Sequence, residues 1–231
     1  MICMVKKCII NRIMRQPVTR TQKTLNLWAV ILIVWAIYRA NFSLPEWIDE
    51  LIAKPLVFVL PVYLFLKKTD KHNFFTAVGL KSKHWLQDLL LGIGIGLLFC
   101  ASALLANFVK TQRLVFPFSQ QTPEGALTIC LLALATGISE EILSRGFVLK
   151  RLYEESKNVL TSSFYASILF FFLHVPILFT NTRISGNMLI VFMVTDLLLS
   201  LVNSFIFLER KSLILPILIH AFYNIAMTLF Y

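Results

Sequence analysis

The chain has 231 residues, of which 58% are hydrophobic and only 15% are Asp, Glu, Lys or Arg. About 25% of the residues in a typical soluble domain are charged, so this composition excludes an ordinary water-soluble protein and indicates a chain solvated by lipid. The formal net charge of +10 does not indicate a nucleic-acid partner. No polar stretch is long enough for a soluble binding domain, and cationic residues collect at cytoplasmic membrane faces.

Seven apolar stretches can span or nearly span a bilayer, which requires about 20 helical residues. They lie near residues 24–40, 51–66, 86–109, 125–148, 160–179, 186–208 and 212–231. We therefore predict an all-α transmembrane helical bundle of about seven spans. Residues 1–23 would form a basic cytoplasmic N-terminal segment, and residues 24–231 would form a single domain.

The basic residues between these stretches indicate the orientation of the chain. Sixteen of the 22 Lys and Arg residues lie in the N-terminal segment or in the connections after the second, fourth and sixth stretches. Five are assigned to the opposite side, namely Arg39, Lys54, Lys110, Arg113 and Arg183. Because an excess of Lys and Arg marks the cytoplasmic side, this distribution predicts a cytoplasmic N-terminus and an odd number of spans.

Polar residues inside the apolar stretches are the most informative part of the sequence. A charged side chain at mid-helix costs about 2.5–3.5 kcal/mol on the insertion scale, so such residues face a protein interior or a watery cavity. They occur in the fourth to seventh stretches and are Glu140, Glu141, Arg145, His174, Asp196, Asn203, His220 and Asn224. We interpret Asp196 and Asn203 as residues whose hydrogen bonds serve helix packing, and the others as a functional cluster.

The spacing of these residues defines which side chains share a helix face. Glu141 and Arg145 are four residues apart and can pair, which lowers the cost of burying both. Glu140 lies about 100° around the helix from Glu141, so the two carboxylates need not have the same role. His220 and Asn224 are also four residues apart and lie on one face of the seventh stretch.

The depth of three residues supports their convergence on one site. With a rise of 1.5 Å per residue, Glu140, His220 and His174 lie about 15, 13 and 20 Å from the cytoplasmic ends of their helices. A buried carboxylate is a good general base, and two imidazoles can bind a divalent metal or stabilise an oxyanion. These groups are typical of hydrolysis by an activated water. A nucleophilic mechanism is less favoured, because no buried Ser or Cys stands four residues from either histidine.

Three motifs in this order resemble those of a known family. Residues 140–146 (EEILSRG) resemble its EExxxR motif, residues 170–174 (FFFLH) its FxxxH motif and residues 220–224 (HAFYN) its HxxxN motif. The family is that of the CPBP intramembrane proteases, which includes the type II CAAX prenyl endopeptidases and the bacterial Abi or bacteriocin-immunity-type proteins. The resemblance covers roughly residues 75–231, and it implies a multi-pass protein of a bacterial plasma membrane.

The resemblance implies a role for each matching residue. Glu140 would be the general base that activates water, and His174 would help to bind that water or a metal. His220 and Asn224 would polarise the scissile carbonyl and stabilise the oxyanion.

A metal ion is left open by the sequence. Glu141 and Arg145 would order the site, and Glu141 could also reach the water or a metal. A single divalent ion such as zinc would have Glu141, His174 and His220 as its candidate ligands, but so small a ligand set does not require a metal.

The sequence thus predicts an endopeptidase that hydrolyses a peptide bond of a membrane-associated or CAAX-type polypeptide. Its partners would be membrane lipids and a peptide or membrane-protein substrate. The first alternative is a non-catalytic bacteriocin-immunity or scaffold protein on the same helices. The second is a small proton-coupled transporter that uses Glu140 and Glu141, although no inverted repeat is visible.

Overall fold

The computed structural model describes residues 18–70, 72–113, 116–180 and 187–230, and this part of the chain is helical without a strand. The all-α prediction is therefore confirmed. Residues 1–17 of the predicted basic N-terminal segment lie outside the described residues. The helices are α1 (Arg20–Asn41), α2 (46–69), α3 (Phe74–Val78), α4 (Trp85–Thr111), α5 (Pro123–Ser156), α6 (Val159–Thr180), α7 (Asn187–Arg210) and α8 (Ile214–Phe230).

Each predicted apolar stretch corresponds to one of the long helices. Five helices are long and apolar enough to cross a membrane, namely α1, α4, α5, α6 and α7. The other two stretches became α2, which carries charged residues in its first half, and α8, which has only 17 residues. The number of seven spans and the cytoplasmic N-terminus remain predictions.

Helix ends follow local sequence signals. Thr19 caps α1 by accepting a hydrogen bond from the Gln22 amide, and Thr122 caps α5 just before Pro123 at the first helical position. Helix α3 ends at Gly79, whose φ of +87° is readily adopted only by a residue without a Cβ.

Two helices contain wide, π-helical turns. They occupy Asp49–Ala53 and Pro55–Val59 in α2, and Ile142–Leu149 in α5. Such turns are rare in proteins overall, but those that do occur are often found at functional sites. In α5 the π-helical turns begin directly after the glutamate pair, and every residue from 139 to 149 is buried. The EExxxR motif therefore lies in the part of α5 that other helices surround.

Helix α8 packs closely on α4 because α4 has glycines at four-residue spacing. A Cβ atom at Gly92 would overlap Leu218, and one at Gly96 would overlap the ring of Phe222. A Cβ atom at Gly94 would meet nothing within 4 Å. The two outer glycines thus form the seat of α8, as small residues do where membrane helices approach closely.

The ends of α1, α2 and α5 are joined by ion pairs at the predicted cytoplasmic side. Asp70 follows α2 and contacts Arg20 of α1 at 3.0 Å and Arg151 of α5 at 2.8 Å. Burial raises the pKa of Asp70, but the guanidiniums of Arg151 and Arg20 outweigh it, so the pKa of this carboxyl lies below its ordinary value. Ionised Asp70 therefore contributes to the stability of the fold.

We predict that Gly96→Ala lowers the thermal stability of the purified protein, because the added Cβ overlaps Phe222. Overpacking of this kind costs about 1–3 kcal/mol. The matched control is Gly94→Ala, which adds the same atom in open space and gains helix propensity. Thermal unfolding in detergent checks this, and an equal loss for both variants would contradict the packing role of Gly96.

A second prediction concerns pH. Because the pKa of Asp70 is depressed in the folded state, its stabilising contribution is present above its unfolded value of about 4 and is lost as the pH falls further. We expect the melting-temperature difference between wild type and Asp70→Asn to be largest near neutral pH and to shrink below pH 4. A difference that is constant with pH would contradict this prediction.

Candidate active site

The two adjacent glutamates of α5 point into different networks, as their angular separation predicts. The Glu141 carboxylate is fully buried, and its Oε1 atom accepts hydrogen bonds from Arg145 Nη1 at 2.9 Å and Asn203 Nδ2 at 3.1 Å. The same oxygen lies 3.0 Å from His220 Nδ1. Glu141 therefore joins α5 to α7 and α8. The predicted pairing of Glu141 with Arg145 is present.

Arg145 connects this network to the second motif. Its Nη2 atom donates to the Ser200 carbonyl at 3.1 Å, and its guanidinium lies 4.3 Å from the centroid of the Phe170 ring. The distance and the buried setting suit a cation–π contact. The Phe170 carbonyl in turn lies 3.3 Å from His174 Nδ1. The phenylalanine of FxxxH therefore supports both the arginine of EExxxR and its own histidine.

Glu140 faces the two histidines. Its Oε2 atom lies 3.6 Å from His174 Nε2 and 3.7 Å from His220 Nε2. These separations are too long for direct hydrogen bonds. The Oε2 atom is buried and has no hydrogen-bond partner among the residues that the structure describes. The structure thus brings together the carboxylate and both imidazoles that the sequence predicted to converge.

Both histidine rings have an acceptor beside Nδ1 and the carboxylate of Glu140 beside Nε2. His220 Nδ1 meets Glu141, whereas His174 Nδ1 lies 3.4 Å from Asp196 Oδ2. Each ring can therefore donate a hydrogen bond from Nδ1, and a ring with protons on both nitrogens can also donate from Nε2 on the side of Glu140. Carboxylates behind histidines orient ligand or catalytic imidazoles in this way in other proteins.

Asn224 lies one helical turn beyond His220 on α8, as the spacing predicts. Its side chain is half-buried and makes no hydrogen bond to the described part of the chain. Its amide is therefore available to a bound group.

The structure corrects the sequence analysis at Lys54. That residue was assigned to a non-cytoplasmic connection, but it lies within α2, is 4% exposed and contacts Glu140 Oε1 at 2.7 Å. It also contacts Glu50 Oε2 at 2.7 Å. The signal was present in the sequence, because Lys54 falls inside the predicted stretch 51–66 and a lysine at such a position calls for a buried partner.

Asp196 and Asn203 are closer to the site than their interpretation as packing residues suggests. Asp196 is 2% exposed and stands behind His174. Asn203 makes packing hydrogen bonds, as expected, to the Pro216 carbonyl and to Glu141. Sequence spacing within one helix could not identify these partners, since each lies on another helix.

The described residues contain no group of three or more His, Cys, Asp or Glu side chains arranged to hold a metal ion. Among the sequence-predicted candidate ligands, Glu141 lies at the Nδ1 edge of His220 and not at the Nε2 edge. The carboxylate nearest to both Nε2 atoms is that of Glu140.

Comparison with known proteins finds one family that is similar to part of the chain. The model of the family described as type II CAAX prenyl endopeptidase Rce1-like matches residues 122–226, just under half of the chain. No curated protein and no solved structure matches the chain. The match contains all three motifs, and the five candidate spans agree with an integral membrane protein. Residues 122–226 of this membrane protein are therefore similar to the family of type II CAAX prenyl endopeptidases described as Rce1-like.

Proposed function

We propose that the chain hydrolyses a peptide bond of a membrane-associated or CAAX-type polypeptide with a water molecule that Glu140 activates. The observation that carries this proposal is the buried Oε2 atom of Glu140, which faces the Nε2 atoms of His174 and His220 without a hydrogen bond of its own. A carboxylate oxygen in this setting is a suitable acceptor for a proton from a reacting water.

The reaction can be written from these side chains. The Glu140 carboxylate takes a proton from water as the water oxygen attacks the scissile carbonyl carbon, and His174 Nε2 orients that water. His220 and the Asn224 amide lie on one face of α8 and would stabilise the oxyanion of the tetrahedral intermediate. Glu140 then returns the proton to the leaving nitrogen as the carbon–nitrogen bond breaks. The products are a carboxylic acid and an amine, which then ionise to a carboxylate and an ammonium group.

Donation by His220 depends on its protonation. Because Nδ1 faces Glu141, the neutral ring has its proton there and none at Nε2. His220 with protons on both nitrogens can donate to Glu141 and to an oxyanion at the same time. In this proposal Glu141 and Arg145 act on the reaction through His220 and do not touch the substrate.

The net charge of the side chains around Glu140 and Glu141 is compatible with a divalent metal ion. The networks around Glu140 and Glu141 together contain four carboxylates and two cationic side chains. These are Glu50, Glu140, Glu141, Asp196, Lys54 and Arg145. With neutral histidines they have two excess negative charges, which protonated histidines or one divalent cation would balance. The described residues are not arranged as a group of three metal ligands, so the proposed reaction has no step that runs through a metal ion.

The alternative functions make different use of Glu140. A non-catalytic immunity or scaffold protein needs no proton acceptor, and a transporter needs a carboxylate that exchanges protons across the membrane. Cleavage of a polypeptide that depends on Glu140 would exclude both as the main function.

We predict that Glu140→Gln lowers kcat about 10²- to 10⁴-fold, which is the usual contribution of a general base. The matched control is Glu155→Gln on the same helix, because Glu155 is exposed and distant from the histidines. The assay is cleavage of labelled peptides with and without a prenylated C-terminal cysteine, by protein reconstituted in vesicles, with the metal content of each sample measured.

The outcomes separate the alternatives. Cleavage by wild type and by Glu155→Gln alone supports the proposed function. Equal cleavage by Glu140→Gln would remove Glu140 as the base. Binding of these peptides without cleavage, by a folded wild type, would favour the scaffold protein.

A further prediction concerns Asp196. We expect Asp196→Asn to lower kcat about 10- to 100-fold with little change in KM, because the negative charge that faces His174 Nδ1 is then removed. Asp88→Asn is the control, since Asp88 is equally buried but pairs with Arg210 away from the histidines. It should lower stability and leave kcat nearly unchanged. Unchanged kcat in Asp196→Asn would leave Asp196 a packing residue.

A further inference from the structure

Lys54 is the only hydrogen-bond donor to the Glu140 side chain among the described residues. Its Nζ atom lies 2.7 Å from Glu140 Oε1, whereas both histidine contacts to Oε2 exceed 3.5 Å. Without Lys54, nothing in the described part of the chain fixes the rotation of the Glu140 carboxylate. Lys54 also lies outside residues 122–226, the segment that matches the family.

Lys54 is itself held in place by two further side chains. Glu50 lies one turn earlier on α2 and contacts Lys54 Nζ at 2.7 Å, and Glu50 accepts a hydrogen bond from Thr136 of α5 at 2.5 Å. The Trp35 ring of α1 lies 6.0 Å from Nζ, within cation–π distance. The ammonium group is therefore fixed between two carboxylates and one aromatic ring, in a site that is almost closed to solvent.

We propose that Lys54 is a positioning residue for the reaction. It binds Oε1 of Glu140 and thereby leaves Oε2 as the oxygen that receives the proton from water. This inference rests on the proposed role of Glu140 as general base. Lys54 does not touch the substrate. Glu50, which accepts a hydrogen bond from Thr136, holds the ammonium group of Lys54 in position beside Glu140.

The physical reason is the cost of burying a carboxylate. A buried charge without a partner is strongly unfavourable, and breaking a buried pair by removing one partner leaves that cost uncompensated. The paired ammonium allows Glu140 to stay ionised next to Glu141 and Asp196. An ionised carboxylate is required for the first step, since a protonated Glu140 cannot accept a proton.

The first experiment compares kcat and KM for Lys54→Met and Lys54→Arg in the peptide-cleavage assay. Methionine matches the length and the apolar part of lysine but lacks its charge and its donors. We expect Lys54→Met to lower kcat at least tenfold with KM within about twofold, because a misplaced general base affects the chemical step. Lys54→Arg keeps the charge and donors and should recover part of kcat.

The second experiment measures the Lys54–Glu140 pair without using activity. Thermal unfolding in detergent is compared for wild type, Lys54→Met, Glu140→Gln and the double variant. We expect Lys54→Met to unfold at a temperature roughly 5–10 °C lower, and the added Glu140→Gln to restore part of that loss, because one of the two carboxylates that lose their partner is then neutral. Lys150→Met is the control, since Lys150 donates to the Ala77 carbonyl and not to Glu140. Glu140→Gln should not rescue it.

The outcomes distinguish failure of the inference about Lys54 from failure of the proposed function. Rescue in the cycle, together with a kcat loss that Lys54→Arg partly reverses, supports the positioning role. Rescue without any cleavage by wild type would overturn the proposed function but keep Lys54 as the partner that fixes Glu140. No rescue, or a Lys54→Met variant with wild-type kcat, would overturn the inference about Lys54.

Discussion

The buried ion pair of Glu141 and Arg145 is the interaction on which the arrangement of the site depends. One carboxylate oxygen joins α5 to Asn203 of α7 and to His220 of α8. The guanidinium joins the same turn of α5 to the Ser200 carbonyl of α7 and to Phe170 of α6. Buried charges are tolerated when they are paired and hydrogen-bonded. Glu141 Oε1 and both Nη atoms of Arg145 have such partners, whereas Glu141 Oε2 and Arg145 Nε have none among the described residues. This one pair thus links α5 to the three neighbouring helices α6, α7 and α8.

A protein in lipid has little to gain from burying apolar side chains, because lipid tails are equally apolar. Its polar contacts therefore carry much of the specificity of the fold. Large apolar side chains cover the outer surfaces of α4 and α7, whereas the interior of the bundle contains carboxylates, cations and amides. A site for hydrolysis, which needs such groups and access to water, can be part of this interior, beside the apolar core that contains Trp35, Phe58 and Phe147.

Relationships within one helix could be predicted from the sequence, and those between helices could not. The four-residue spacing of Glu141 and Arg145 was sufficient to pair them. The distance of each residue from the cytoplasmic end of its helix placed His174 and His220 at a depth similar to that of Glu140. The contact of Lys54 with Glu140 joins residues 86 positions apart and depends on how α2 packs on α5. The role of Asp196 likewise depends on the packing of α7 against α6. No sequence pattern in α5 predicted its π-helical turns.

The seat that α4 provides for α8 has a consequence for the diversity of such enzymes. Helix α4 supplies no polar side chain to the reaction, yet its glycines determine how near the backbone of α8 can come. Because His220 and Asn224 lie on α8, the size of the residues at positions 92 and 96 of α4 sets how near α8 and these two side chains come to α4. Small changes of side-chain size at these positions would therefore shift the position of His220 and Asn224 without replacing any of the polar side chains around Glu140.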